Sequence, residues 1–295
     1  MYGVKQLDIP KSLEEALEIL AQTEGVLPLA GGTDILIKMR REKTRGAHLM
    51  ALKDIKELFN LSEDSDGIHI GPMVTYSHLA LNPIIEDKLP MVKTAALSMG
   101  GPQIQNLATI GGNICNGATS ADGAAPLMAL NAKLVLKSQS STRELSITEF
   151  YTGPGKVVKR GDELLVDIII PRLPNKGFAG IYEKFSTRKA MDIATLGCAA
   201  TVTVDKDSRI SHATLAYCTA GPTPVRCFAA EERLLGESEL NDDLMEEVAD
   251  LALESTNPRT SWRATKEFRQ NLIRELGKRA LRTAYAQAGE HYEND

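Results

Sequence analysis

The chain has 295 residues, enough for about two domains at roughly 100 to 200 residues each, which excludes a disulfide miniprotein. Lys and Arg number 34 against 39 Asp and Glu, a net charge of −5, and with 25% charged and 43% hydrophobic residues the balance argues against disorder and against nucleic-acid binding. No stretch reaches the roughly 20 unbroken apolar residues of a membrane span, and the start Met1–Pro10 has no apolar leader core, so the expected address is the cytoplasm.

A first helix is signalled by Ser12 three residues before Glu15, a capping box, with Leu13, Ala16, Leu17 and Leu20 at helical spacing as far as Gln22. The apolar run Val26–Ala30 reads as a strand, Gly31-Gly32-Thr33-Asp34 as a turn, and Ile35–Arg40 as a helix. A second strand at Leu49–Leu52 and a turn or short helix at Asp54–Leu58 complete a small α/β unit, residues 1–57. A strand at Ile68–Gly71, helices at Tyr76–Leu81 and Leu89–Met99, a helix from Asp122 to Asn131, and strands at Leu134–Leu136, Glu144–Ile147 and Leu164–Ile170 make a second unit, 58–175. Pro171 and Pro174-Asn175-Lys176-Gly177 mark a boundary. The remainder, 176–295, carries strands at Ala179–Phe185, Ala194–Val204 and Ile210–Cys218, with a turn at Asp205–Ser208. Helices at Ala229–Leu235, Leu244–Leu253 and Phe268–Ala284 follow, so the expected arrangement is α+β, three antiparallel strands covered by helices.

Cys115, Cys198, Cys218 and Cys227 show no C-x-x-C or clustered spacing, and the five histidines no H-x-x-x-H pairing. No metal site, catalytic triad or carboxylate pair can be written from them. Two glycine-bearing stretches remain. In Leu29-Ala30-Gly31-Gly32-Thr33-Asp34 the glycines let a phosphate approach the backbone, while N–H groups at the next helix start point outward. A double glycine after a strand also serves as a plain turn, and the spacing is neither G-x-G-x-x-G nor a P-loop. Between Gly100 and Gly123 stand six glycines. There the stretch Ala108–Asp122 is built of small and hydrogen-bonding residues, which argues for a backbone that wraps a ligand rather than packs. Thr109, Asn113, Asn116, Thr119 and Ser120 can bond phosphate or sugar, and Asp122 can accept from a ribitol or ribose hydroxyl. Two such loops about 80 residues apart suggest one long dinucleotide between two sub-domains.

The signatures A-G-G-T-D at Ala30–Asp34 and T-I-G-G-N-I at Thr109–Ile114, running on to S-A-D-G-A-A-P at Ser120–Pro126, resemble the FAD-binding subunit of the molybdenum hydroxylase family, which includes xanthine, nicotinate and carbon monoxide dehydrogenases. Thr152–Lys156 and Ser261–Arg269 look like the bacterial xanthine and nicotinate dehydrogenase branch. The resemblance covers essentially the whole chain. It implies a two-part FAD domain of the vanillyl-alcohol-oxidase type, followed by a smaller C-terminal domain of the carbon monoxide dehydrogenase flavoprotein type.

On the same resemblance, Leu29, Ala30, Gly31, Gly32, Thr33, Asp34, Ile35 and Leu36 would supply backbone donors to the pyrophosphate of FAD. Thr109, Ile110, Gly111, Gly112, Asn113 and Ile114 would close over it, and Asp122 would hold its polyol. Met99 or Gly101, Leu165 and Lys184 map to its neighbourhood, where a lysine cation would also stabilise negative charge on the cofactor. Trp262, Arg259, Arg263, Lys266 and Arg269 read as a helix surface or a subunit contact. The implied role is electron transfer: electrons from [2Fe–2S] clusters of a small subunit, drawn from a molybdopterin-binding large subunit, reach FAD and leave as hydride to NAD(P)+. Such a role needs no catalytic acid, base or nucleophile in this chain. A stand-alone flavin oxidoreductase and a non-redox scaffold are the competing expectations.

Overall fold

The computed structural model describes residues 3–42 and 45–293. Of the start read for a leader, Met1 and Tyr2 lie outside the described residues. The chain opens with β1 (Gly3–Asp8), α1 (Leu13–Gln22), β2 (Leu27–Leu29), α2 (Ile35–Arg41) and β3 (Arg45–Ala51). Ser12 caps α1, its Oγ accepting from Glu15 N–H at 3.2 Å, and Ala16, Leu17 and Leu20 turn inward. The three strands form a parallel sheet in the order β1-β3-β2. The sequence reading lacks β1, because at this edge Val4 and Leu7 remain exposed and leave no apolar alternation.

A 3-10 turn at Lys56–Phe59 leads to β4 (Leu61–Glu63) and β5 (Gly67–Ile70), and then to five short helices. These are α3 (Tyr76–Leu81), α4 (Pro83–Lys88), α5 (Pro90–Ser98), α6 (Pro102–Gln105) and α7 (Ile110–Cys115). Proline opens α4, α5 and α6, where its missing N–H costs nothing. Next come α8 (Ala124–Ala129), β6 (Lys133–Lys137), β7 (Thr142–Ser146), the small hairpin β8 (Tyr151–Gly153) and β9 (Lys156–Val157), and β10 (Leu164–Pro171). The second sheet runs β4-β5-β10-β6-β7, antiparallel throughout. Its central strand faces two cores: Leu164 and Val166 pack with Leu17, Met50 and Ile55 of the first unit, and Leu165, Ile168 and Ile170 with the helices. Asp122 lies two residues before α8, not inside a helix as the sequence suggests.

The last part holds β11 (Phe178–Phe185), β12 (Leu196–Val204), β13 (Ile210–Cys218), β14 (Val225–Arg226), α9 (Phe228–Arg233), α10 (Asp242–Glu254) and α11 (Lys266–Glu293). Its sheet has four antiparallel strands rather than the expected three, because β14 pairs two residues with Ala216 and Tyr217. A two-residue strand carries no periodic signal. All nine residues of β12 are buried. Leu196, Cys198, Ala200, Val202 and Val204 face α10 and α11, while Ala199 and Thr201 face α8. Among the described residues no helix is long and apolar enough to cross a membrane.

Candidate functional site

The two glycine stretches meet at one cavity of about 760 Å³, within the range of small-molecule and cofactor sites. From the first stretch, Ala30, Gly31, Gly32, Thr33, Asp34 and Ile35 line it, and from the second Thr109, Gly111, Gly112, Asn113, Asn116 and Ser120. Asp122, Leu165 and Met99 complete the expected set on its wall. The remaining expected residues stand elsewhere. Leu29 and Leu36 pack on a small core with Met39 and Leu49. Ile110 and Ile114 are fully buried in the main core, so this stretch does pack side chains, contrary to its polar composition. Gly101 follows the lining residue Gly100, and Lys184 stands behind Asp122, off the wall.

The two loops differ in what their backbones offer. In the second, every N–H at the start of α7 is used within the protein: Ile110 donates to Val74 O, Gly111 to Pro72 O, Gly112 to Thr109 Oγ1 and Asn113 to Thr109 O, at 2.9 to 3.0 Å. In the first, the N–H groups of Gly32, Thr33, Asp34 and Ile35 have no hydrogen-bond partner among the described residues. Consecutive unpaired donors on a cavity wall favour an anionic oxygen cluster such as a pyrophosphate. These donors and the cavity fit the expected cofactor.

The glycines also serve the protein itself. A Cβ on Gly31 would overlap the Leu107 carbonyl, and one on Gly111 would overlap Pro72. Gly32 has φ +75°, the left-handed region open to glycine. Close approach of the two loops thus depends on glycine before any ligand is considered.

Beneath the cavity lies a buried polar cluster. Asp122 Oδ2 accepts from Lys184 Nζ and Oδ1 from the Tyr182 hydroxyl, both at 2.9 Å, while Lys184 also donates to Ser98 O at 3.0 Å. Burial pushes the Asp122 carboxyl up, and Lys184 opposes this by Coulombic attraction and hydrogen bonding. A carboxylate offers about four lone-pair positions, so Asp122 retains acceptor capacity toward the cavity. The Lys184 ammonium is accordingly matched by an adjacent carboxylate.

Sequence reasoning misses several wall residues. Lys159 lines the cavity with its Nζ donating to the carbonyls of Arg160 and Glu163. Met191, Asp192 and Ile193 reach the wall from the β11–β12 connection, where Met191 N–H donates to Gly100 O at 2.9 Å. Met191 takes φ 54°, a conformation that no local pattern announces for methionine. Among the described residues no group of three or more His, Cys, Asp and Glu could hold a metal ion.

Residues 5–173 match the family described as FAD binding domain in molybdopterin dehydrogenase, and residues 181–284 match CO dehydrogenase flavoprotein C-terminal domain. The chain is 40% identical over 279 residues to a putative xanthine dehydrogenase FAD-binding subunit of Escherichia coli, covering 94% of this chain and 95% of that one. It is 33% identical over 232 residues to the nicotinate dehydrogenase FAD-subunit of Eubacterium barkeri, covering 77% and 78%. Its fold superposes with a TM-score of 0.90 on a chain of carbon monoxide dehydrogenase from Hydrogenophaga pseudoflava, at 30% identity and covering 95% and 97%.

Proposed function

The chain belongs to the FAD-binding subunits of the molybdenum hydroxylases, a flavoprotein part of an oxidoreductase complex, and on that premise we propose that it is the exit station for electrons in a xanthine or nicotinate dehydrogenase type assembly. In this reading a small subunit with [2Fe–2S] clusters and a large molybdopterin subunit supply the electrons, and NAD(P)+ takes them as hydride. When bound, FAD supplies a ring that accepts electrons singly and releases them in pairs. The observation that carries the reading is the row of unpaired N–H groups from Gly32 to Ile35 facing a cavity closed by the second glycine loop.

This chain's own residues would bind and orient. Gly32, Thr33, Asp34 and Ile35 would hold the pyrophosphate through backbone donors, with the Leu29–Leu36 segment as their frame. The Thr109–Ile114 segment would set the opposite wall, and Asp122, kept in place by Tyr182 and Lys184, would accept from the polyol. Leu165, Met99 and the Gly100-Gly101 turn would bound the ring end and exclude water. The same reading divides the chain into 1–57 and 58–175, two halves of the FAD-binding part, and 176–295. A cytoplasmic address is supported by four free cysteines, three of them buried.

The test is the visible spectrum of the purified chain, with chromatography of the molecule released by acid. Stoichiometric FAD is the expected result, and a colourless chain that refuses added FAD would overturn the reading. Mixing the anaerobically reduced protein with NAD+ or NADP+ then identifies the acceptor by the appearance of reduced nicotinamide.

A further inference from the structure

Among the described residues five charged residues are buried, and four of them stand in ion pairs: Asp122 with Lys184, Glu163 with Arg143, and Arg226 with Glu231. Arg269, 4% exposed in the first turn of α11, is the fifth, and it meets no carboxylate. The sequence reads Arg269 as part of a helix surface or a subunit contact. The structure turns it inward instead, on the face of α11 that carries buried Ile273 and Leu276, four and seven residues on. Its guanidinium ends on neutral oxygens: Nη1 donates to the carbonyls of Thr195 at 2.9 Å and Thr219 at 3.1 Å, and Nη2 to Ser261 Oγ at 2.9 Å.

Each carbonyl it reaches belongs to a segment that serves the cavity. Strands β12 and β13 pair as far as Gly197 and Cys218, so Thr195 and Thr219 stand just past the end of the ladder. Thr195 closes the connection that holds Met191, Asp192 and Ile193 on the wall. Thr219 donates its N–H to Thr119 O at 2.7 Å, and Ala118 and Ser120, on either side of Thr119, line the cavity. Thr219 also takes φ 66°, an uncommon conformation for a β-branched residue, so its bonds to Thr119 and Arg269 hold the turn in place. A buried cation that meets only neutral oxygens is costly, and a methionine of similar length would fill the space at lower cost if packing were the sole purpose. Burial, with Arg259 and Arg263 nearby, pulls the pKa of Arg269 below the ordinary arginine value. A lysine would carry the charge but not the planar fork that reaches three acceptors from two nitrogens.

We propose that Arg269 is a positioning residue of the flavin site. Standing behind the wall and lining none of it, one guanidinium fixes the connection 186–195 and, through Thr219, the segment 118–120 against each other, so that both meet the cofactor in a single arrangement. The inference rests on the FAD-binding reading above.

In the full chain purified with FAD, Arg269→Ala should raise the Kd for FAD about tenfold or more and alter the visible circular dichroism of the flavin that stays bound. Guanidinium ion, which fits the space left and makes the same bonds, should restore both, whereas urea, of the same shape and uncharged, should not. Arg269→Lys should fold and show the same losses in smaller measure. Unchanged FAD affinity and dichroism in folded Arg269→Ala overturn the proposal, and so does a lower melting temperature of the FAD-free chain with the bound-flavin spectrum unmoved, the mark of a packing role. Rescue by neither compound, or by urea equally, overturns it too. Where Arg269→Ala does not fold, Arg269→Lys decides: native affinity and dichroism in that variant overturn the proposal. A wild-type chain that takes up no FAD fails the FAD-binding reading, whereas a loaded wild type beside an equally loaded and spectrally identical Arg269→Ala fails this proposal alone.

Discussion

Gly111 has no room for a methyl group, since a Cβ there would press into Pro72. Gly111→Ala is therefore expected to cost about 1–3 kcal/mol as an overpacked contact and to lower FAD retention, through displacement of α7 rather than through lost phosphate contact. Denaturant unfolding of the FAD-free chain distinguishes the two, because a pure ligand effect leaves that curve unmoved. At Asp122 the issue is charge. Its side chain and that of Lys184 are 6% and 7% exposed, so Asp122→Asn leaves a buried ammonium without its counter-charge. Removing one partner of a buried pair typically costs about 3–5 kcal/mol. Adding Lys184→Met to Asp122→Asn should recover part of that loss in a double-mutant cycle of chemical denaturation, while FAD content stays low in both. A double variant no more stable than Asp122→Asn alone would count against the pair as the source.

Among the elements, α7 and β10 show how far pattern goes. Two glycines disfavour a helix by about 1 kcal/mol each relative to alanine, so the Thr109–Cys115 stretch reads as loop. Tertiary contacts override that preference: Thr109 caps the helix, and Ile110 and Ile114, one turn apart, enter the main core. Strand β10 is legible as an apolar run, but not the clamp at its entrance. Arg143 of β7 donates through Nε and Nη2 to the two oxygens of Glu163 at 2.7 and 2.9 Å, and the Arg160 N–H adds a third bond at 2.7 Å. Led by the Arg143 hydrogen bonds, these hold the Glu163 carboxyl down from its ordinary 4.5 to about 2. A depressed carboxyl stabilises the fold fully above its unfolded value and loses that contribution as pH falls through its folded value. The chain should accordingly lose stability between about pH 4.5 and about pH 2, and Glu163→Gln should flatten this acid limb in thermal melts. An unchanged acid limb in that variant would exclude the clamp as its origin.

For the molecule as a whole, the C-terminal sheet is joined to the rest through β11, by Tyr182 and Lys184 on Asp122, and through α8 and the residues just after it. Thr214 Oγ1 donates to Ala129 O at 2.9 Å, and Arg226 Nη1 donates to Met128 O at 2.7 Å and Asn131 Oδ1 at 2.8 Å. Arg226 is also bidentate with buried Glu231. Arg226→Met is expected to cost about 3–5 kcal/mol by stranding Glu231, and to make residues 171–177 more sensitive to protease. Equal cleavage of both proteins would show that the seating does not depend on Arg226.

The first helix with its Ser12 cap, the three long strands after Pro174, and the two glycine stretches with the family they resemble are all legible in the chain of residues. Each of these is a local signal: a cap, an apolar run, a short motif. Folding sets a difference that no motif carries: the first glycine stretch keeps the N–H groups of Gly32 to Ile35 unpaired among the described residues, while the second spends its own on Val74, Pro72 and Thr109. It also sets Lys184 to serve Asp122 from behind the cavity wall, and returns Met191 to Ile193 to that wall from more than 150 residues after the first loop. The physical reason is that hydrogen-bond satisfaction and burial are properties of pairs of segments, and residues far apart in the chain carry no mark of which partner they will meet.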